Sequence, residues 1–175
     1  MKFLPYESLK ISTALSSEVV LKQLDSVIEP KRHFRFFGSG SKPYQGSVEG
    51  SHFEISRIIG YGNSFLPMIN GDVQREISGC SIYITMRPRI FATAFMIFWL
   101  GGVGLFFLVF LISIISGATD SSTLSFPATM FVLGYAMFLA GFKFESIKSK
   151  KFFQELLEAR DVEEFGIANP FEKAG

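Results

Sequence analysis

The chain has 175 residues, 48% of them hydrophobic, with a mean hydropathy of +0.31 and a net charge of +1. So neutral a balance leaves no general basic footprint for nucleic acid, and a single cysteine, Cys80, excludes an intramolecular disulfide and a Cys-rich zinc site. The hydrophobic excess is concentrated: residues 91–116 and 124–142 contain no Asp, Glu, Lys, Arg or His.

The chain begins Met1-Lys2-Phe3-Leu4-Pro5-Tyr6-Glu7, without the apolar core of a signal peptide, so the first apolar run is expected to direct insertion itself. Leu9, Ile11 and Thr13 then alternate with Ser8, Lys10 and Ser12, the period of a strand with one buried face. Residues 16–29 read as an amphipathic helix. Val20, Leu21, Leu24, Val27 and Ile28 make one apolar stripe, Ser16 or Ser17 suits the N-cap, Glu18 suits the positive helix end, and Pro30 marks the stop.

Beyond Pro30 a basic cluster, Lys31, Arg32 and Arg35, surrounds His33, with Phe34 and Phe36 in strand alternation. The Gly38-Ser39-Gly40-Ser41-Lys42-Pro43 stretch resembles a phosphate loop in composition only, lacks the Gly-Lys-Ser/Thr ending, and reads as a linker. Residues 45–48 and 53–59 flank Glu49-Gly50-Ser51, a tight hairpin turn. Residues 60–64 form a longer loop. A strand over 68–76, its start weakened by Pro67, turns at Ser78-Gly79 into a second strand in which Ile82, Ile84 and Met86 alternate with polar residues. Arg57 lies in phase with Phe53 and Ile55, which makes it the candidate buried ionisable residue, in need of a partner.

The two apolar runs, of 26 and 19 residues, match the roughly 20 residues a helix needs to cross a bilayer core. They predict a two-helix transmembrane hairpin over 91–142. Arg87 and Arg89 before it and Lys143, Lys148, Lys150 and Lys151 after it are candidate membrane-surface contacts, whereas the intervening loop carries no Lys or Arg. That asymmetry predicts a multi-pass plasma (inner) membrane protein with both termini cytoplasmic. Within the runs, Gly101, Gly102, Gly104, Gly134, Ala136, Ala140 and Gly141 permit close helix approach, between the spans or in a homo-oligomer.

A final helix is expected from about Glu145, with Phe152, Phe153, Leu156 and Leu157 on one face. Packing on the sheet is preferred over packing on the bilayer, because one short helix alone leaves the sheet's apolar face uncovered. After Asp161 the tail is expected to fray. The expected fold is therefore an α+β membrane protein: a cytoplasmic region over 1–90, a transmembrane hairpin over 91–142, and a cytoplasmic helix and tail over 143–175. Its sheet is expected to be antiparallel, flanked by helices and interrupted by the hairpin.

Ile59-Gly60-Tyr61-Gly62-Asn63-Ser64-Phe65-Leu66-Pro67, residues 82–88, the Trp99-Leu100-Gly101-Gly102 segment and Gly141-Phe142-Lys143-Phe144-Glu145 together resemble a family of small bacterial two-span proteins of unknown function. The resemblance covers most of the chain and implies no activity. The order strand, helix, strands, helix is also loosely similar in topology to helix-grip (START-like) domains that hold apolar ligands.

Little catalytic chemistry is legible. His33 and His52 lack metal-ligand spacing, no Gly-x-Ser-x-Gly elbow occurs, and Cys80 has no activating base nearby in sequence. No catalytic residue, cofactor or metal is expected. The expected role is a membrane-anchored, non-enzymatic domain whose partners are the lipid bilayer and an apolar ligand or a membrane protein. A scaffold subunit of a larger membrane complex and a membrane-bound enzyme are the alternatives. Without ionisable groups in either span, an ion relay is disfavoured.

Overall fold

The computed structural model describes residues 4–30, 42–60, 63–118 and 120–165. Within them the chain is α+β, with seven strands in one mixed sheet and three α-helices. Strand β1 (Glu7–Thr13) leads to helix α1 (Ser17–Val27) and the two-residue strand β2 (Ile28–Glu29). Strands β3 (Tyr44–Glu49), β4 (His52–Arg57), β5 (Pro67–Glu76) and β6 (Gly79–Pro88) follow as a meander. Then come helix α2 (Ile90–Ile115), a 3-10 turn (Ser121–Leu124), helix α3 (Ser125–Leu156) and strand β7 (Asp161–Phe165). Lys31, Arg32, His33, Phe34, Arg35 and Phe36, with residues 38–41, lie outside the described residues.

The sheet order is β2-β3-β4-β5-β6-β1-β7. All pairs are antiparallel except β2 with β3, which corrects the expected antiparallel sheet. The cause is the crossover. β1 sits near one edge and β2 at the other, so α1 must run across the sheet between them. Its buried Val20 and Leu24 lie on that face. Ser16 caps α1 by accepting from Val19 N–H. The far end lacks a basic residue of its own and is met by Lys42 Nζ, which donates to Asp25 O at 2.8 Å and Ile28 O at 2.9 Å.

Register places the apolar alternations on one face. Leu9 pairs with Ile84, Ile11 with Ile82, Ile55 with Ile69 and Val73 with Ile82, and all are buried. Phe53 lies opposite Gly71, where a Cβ would sit 2.2 Å from the ring. Only glycine leaves room for that ring. The opposite face carries Lys10, Ser12, Asn70, Asp72, Ser81, Tyr83 and Thr85, the polar half of the same alternation. Pro67 opens β5, a central strand, and pairs with Pro88 at the end of β6. A first-residue proline removes no ladder bond, so no edge position is needed.

α2 and α3 are long and apolar enough to cross a membrane by length and composition. α3 is one continuous helix of 32 residues, about 48 Å long at 1.5 Å per residue. The expected separate helix from Glu145 is therefore absent. Lys143 ends the apolar run, but neither glycine nor proline follows Gly141 within the helix to stop it. The second half of α3 lies on the sheet beside α1, with Phe142, Phe153 and the adjoining Leu157 wholly buried and Leu156 partly so. β7 then pairs with the free side of β1, where a fraying tail was expected.

Candidate functional site

The buried stripe of α3 is not wholly apolar. Phe142, Glu145, Ser146, Ser149 and Phe153 follow one another at helical spacing, and all five are fully buried. The two serines are small enough for the helix to lie close to the strands. The result is a charged seam between α3 and the sheet, at the end of α3 away from its apolar run.

On one side of the seam, Arg57 Nη1 of β4 donates to Glu145 Oε2 at 2.8 Å, and Lys148 Nζ stands 3.8 Å from Glu145 Oε1. Glu145 is 0% exposed and Arg57 29%. The residue singled out in the sequence is thus the half-buried member, and the carboxylate it meets is the deeper one. Tyr44 of β3 lies beside this pair, tilted against Phe152 and Phe153 at 5.0 and 5.4 Å between ring centroids. Burial pushes the Tyr44 phenol above its ordinary value, Ser149 and Arg57 act against the rise, and Glu145 adds to it.

On the other side stands Glu7, the first residue of β1. It accepts from Lys143 and from the Ser146 hydroxyl, and from Lys150 Nζ at 2.8 Å. Lys150 also reaches Glu164 of β7 at 2.7 Å. Burial alone would raise the Glu7 carboxyl. The bonds from Lys143, Lys150 and Ser146, with the charge of Lys150, outweigh it and hold the group below its ordinary value. Burial likewise works against the Lys150 ammonium, but Glu164 and Glu7 raise its pKa overall.

A carboxylate with a depressed folded pKa stabilises the fold above its unfolded value, and that contribution is lost as pH falls through the folded one. The thermal midpoint should therefore fall on acidification below about 4.5, the ordinary value, and the slope of that fall should be shallower in Glu7→Gln. Equal slopes for both proteins would detach Glu7 from the acid response. Lys150 works in the opposite range, its contribution fading as pH rises through its elevated pKa.

The other residues singled out in the sequence are dispersed. Arg89 is exposed and caps the start of α2 without a side-chain cap bond. It donates to Ser56 Oγ of β4 at 3.2 Å. Arg87 and Lys151 are exposed. Lys148 also lies over the Phe144 ring at 3.9 Å. His52 Nδ1 meets Asp72 Oδ1 at 3.2 Å on the surface. Cys80 is buried in β6, and burial together with Glu76 raises its thiol pKa. Lys42 serves the α1 terminus. Among the described residues, no three His, Cys, Asp or Glu side chains are grouped to hold a metal.

Sequence reasoning missed Glu7, Glu145, Ser146, Ser149 and Glu164. A signal existed for four of them: Glu7 keeps phase with Leu9 and Ile11, and the other three keep phase with Phe142 and Phe153. Glu164 carried none.

The hairpin holds a second kind of feature. Trp99 of α2 lies on Gly134 of α3, with Nε1 2.9 Å from where a Cβ would stand. Gly141 serves Phe65 in the same way, and Phe65 meets Phe138 edge-on at 5.2 Å. Asn63 secures that loop, accepting from Phe65 N–H and donating to Gly141 O. A Cβ at Gly101, Gly102 or Gly104 would meet nothing within 4 Å among the described residues outside the helix's own nearby backbone. Apolar hollows run along the hairpin, one of about 470 Å³ between Phe98, Phe106 and Phe126 and one of about 330 Å³ around Met96, Trp99 and Leu133.

Comparison of the chain with family models, curated proteins and solved structures finds no match.

Proposed function

We propose that the chain is a two-span membrane protein whose sheet domain is held on the cytoplasmic face of the bilayer, and that it acts as a non-enzymatic binding module taking an apolar ligand on its hairpin. One observation carries the reading. The same helix, α3, is apolar and open along its first half and forms part of the sheet's core along its second. Phe91, Phe98, Ile112 and Phe126 are 86, 82, 65 and 70% exposed, an apolar surface that a monomer in water does not sustain. α2, with 26 residues, is about 39 Å long against a core of about 30 Å. A core helix of a soluble protein is mostly buried, whereas the most apolar window of α2 is only 6% buried.

The placement of the hollows supports the ligand. The space under the sheet is filled by Tyr44, Phe53, Phe152 and Phe153, and the apolar hollows lie against the spans. The charged groups of the seam are paired with one another, which suits fastening α3 to the sheet. The orientation rests on Arg87, Arg89 and the four lysines after the second span, against none in the loop.

A test uses Ser121→Cys in a Cys80→Ser background, within intact membranes. Labelling of residue 121 from outside by an impermeant maleimide is the expected result. Labelling from inside alone overturns the orientation, and release of the protein by alkaline washing overturns the membrane reading. A scaffold role in a larger membrane assembly is the second reading, favoured by the open face at Gly101, Gly102 and Gly104, which suits another span or a second copy.

A further inference from the structure

At the sheet end of the hairpin, a hollow of about 660 Å³ carries Arg89, Asn63 and Ser64 beside an apolar wall of Phe65, Phe91, Ala92 and Phe95. The apolar hollow of about 330 Å³ adjoins it, since Phe65 and Phe95 are walls of both. Beyond those two rings the second hollow is lined by Met96, Trp99, Leu133 and Met137. A hollow bearing one base and two further polar side chains thus adjoins a wholly apolar groove along α2 and α3.

We propose that this pair of hollows is a site for an anionic glycerophospholipid, its phosphate at Arg89 and one acyl chain along Phe95, Met96 and Trp99. The proposal rests on the membrane reading above and names the ligand.

Charge favours an anion. Among the described residues, no carboxylate lines either hollow. Among the described residues the Arg89 side chain makes one hydrogen bond, to Ser56, and no ion pair, so most of its five donors are left for a phosphate. Ser64 adds a hydroxyl. Depth fits as well. Arg89 immediately precedes the apolar helix, at headgroup level, and Trp99 lies ten residues further on. That is about 15 Å at helical rise, half the hydrocarbon core and so the reach of one leaflet's chains. Shape separates this site from the rest of the surface. Phe65 is pinned by Asn63 and Phe138, and it forms a wall of both hollows.

Trp99 is the only tryptophan, which makes it a reporter. The full-length protein is placed in phosphatidylcholine vesicles containing acyl-brominated phosphatidylglycerol or, separately, acyl-brominated phosphatidylcholine at equal mole fraction. The brominated phosphatidylglycerol should quench Trp99 with an apparent affinity about fivefold higher, the contribution of one base near an anionic surface. Arg89→Gln should abolish the preference, and Arg89→Lys should keep most of it. Arg87→Gln, which alters an exposed base lining neither hollow, should leave it intact.

Equal quenching by the two lipids in the wild type overturns the site while leaving the membrane reading standing. So does a preference that survives Arg89→Gln, or one lost equally in Arg87→Gln, which would be general surface charge. Loss of the preference in excess inorganic phosphate makes the occupant a free anion and overturns the lipid. Absence of quenching by either lipid places Trp99 outside the bilayer and overturns both readings.

Discussion

Phe153→Ala should destabilise the folded protein by about 3–5 kcal/mol, the range for removing a buried aromatic ring. Phe153 is 0% exposed, lies 5.7 Å from Phe152 of its own helix, and joins that helix to two rings of the sheet, Tyr44 at 5.4 Å and Phe53 at 6.4 Å between centroids. The two sheet rings stand on neighbouring strands, and Phe53 is seated against Gly71. Backbone bonding on both sides of β4 limits how far the site can collapse, which favours the upper part of the range. For a chain of this size each kcal/mol shifts the thermal midpoint by roughly 2–4 °C. Unfolding in mild detergent should show a fall of about 10 °C. Phe126→Ala, at a position 70% exposed on the same helix, is the control and should move the midpoint by less than about 2 °C. Equal shifts in the two variants would mean that the second half of α3 is not part of the sheet's core.

Arg57→Ala should be the next most damaging change. It leaves the Glu145 carboxylate buried without its closest cation, and breaking a buried pair in this way costs about 3–5 kcal/mol. Lys148 remains within 3.8 Å, and Arg57 is itself partly open to solvent, so the low end, about 3 kcal/mol, is expected. The decisive comparison is Arg57→Met with Glu145→Leu together. Replacing both charges by apolar groups of similar volume removes the desolvation penalty along with the attraction, and often restores stability. The double variant should recover most of the loss in the same unfolding experiment. A single variant within about 0.5 kcal/mol of wild type would show that the pair is solvated and holds nothing.

Much of the fold is legible in local pattern because local pattern is what folding uses. Val20 and Leu24 announce α1, with Ser16 as its cap, although the helix expected over 16–29 ends at Val27 and Ile28 turns extended to open β2. The alternations at Leu9, Phe53 and Ile82 announce strands sharing one buried face. The apolar helices α2 and α3 are written in two uncharged runs. What local pattern misses is set by partners distant in sequence. β7 is Asp161-Val162-Glu163-Glu164-Phe165, too charged to read as a strand, and it pairs because β1 has an open side there and Lys150 receives Glu164. The parallel β2–β3 pair depends on where α1 delivers the chain across the sheet. The continuity of α3 is hidden in the sequence because residues 142–148 change from apolar to charged, and a change in polarity does not by itself end a helix. Arg57 was recognisable as an inward-facing base. Glu145, 88 residues away, was not recognisable as its partner, because register and crossover alone bring them together.

The order of synthesis gives the fold a further property. β1 to β6 and α1 are made first, then both apolar helices, and only afterwards the part of α3 that covers the sheet and the strand β7 that closes its edge. Until those last residues leave the ribosome, α1 alone covers the sheet's apolar face, the part that Phe142, Phe153 and Leu157 go on to cover is open, and β1 has one unpaired side. An N-terminal fragment ending at Pro88 would keep that exposed face and open edge, both routes to aggregation. The domain therefore matures only after its hairpin has been made. Completion of the sheet domain is thereby tied to synthesis of the two long apolar helices that precede its last elements in the chain.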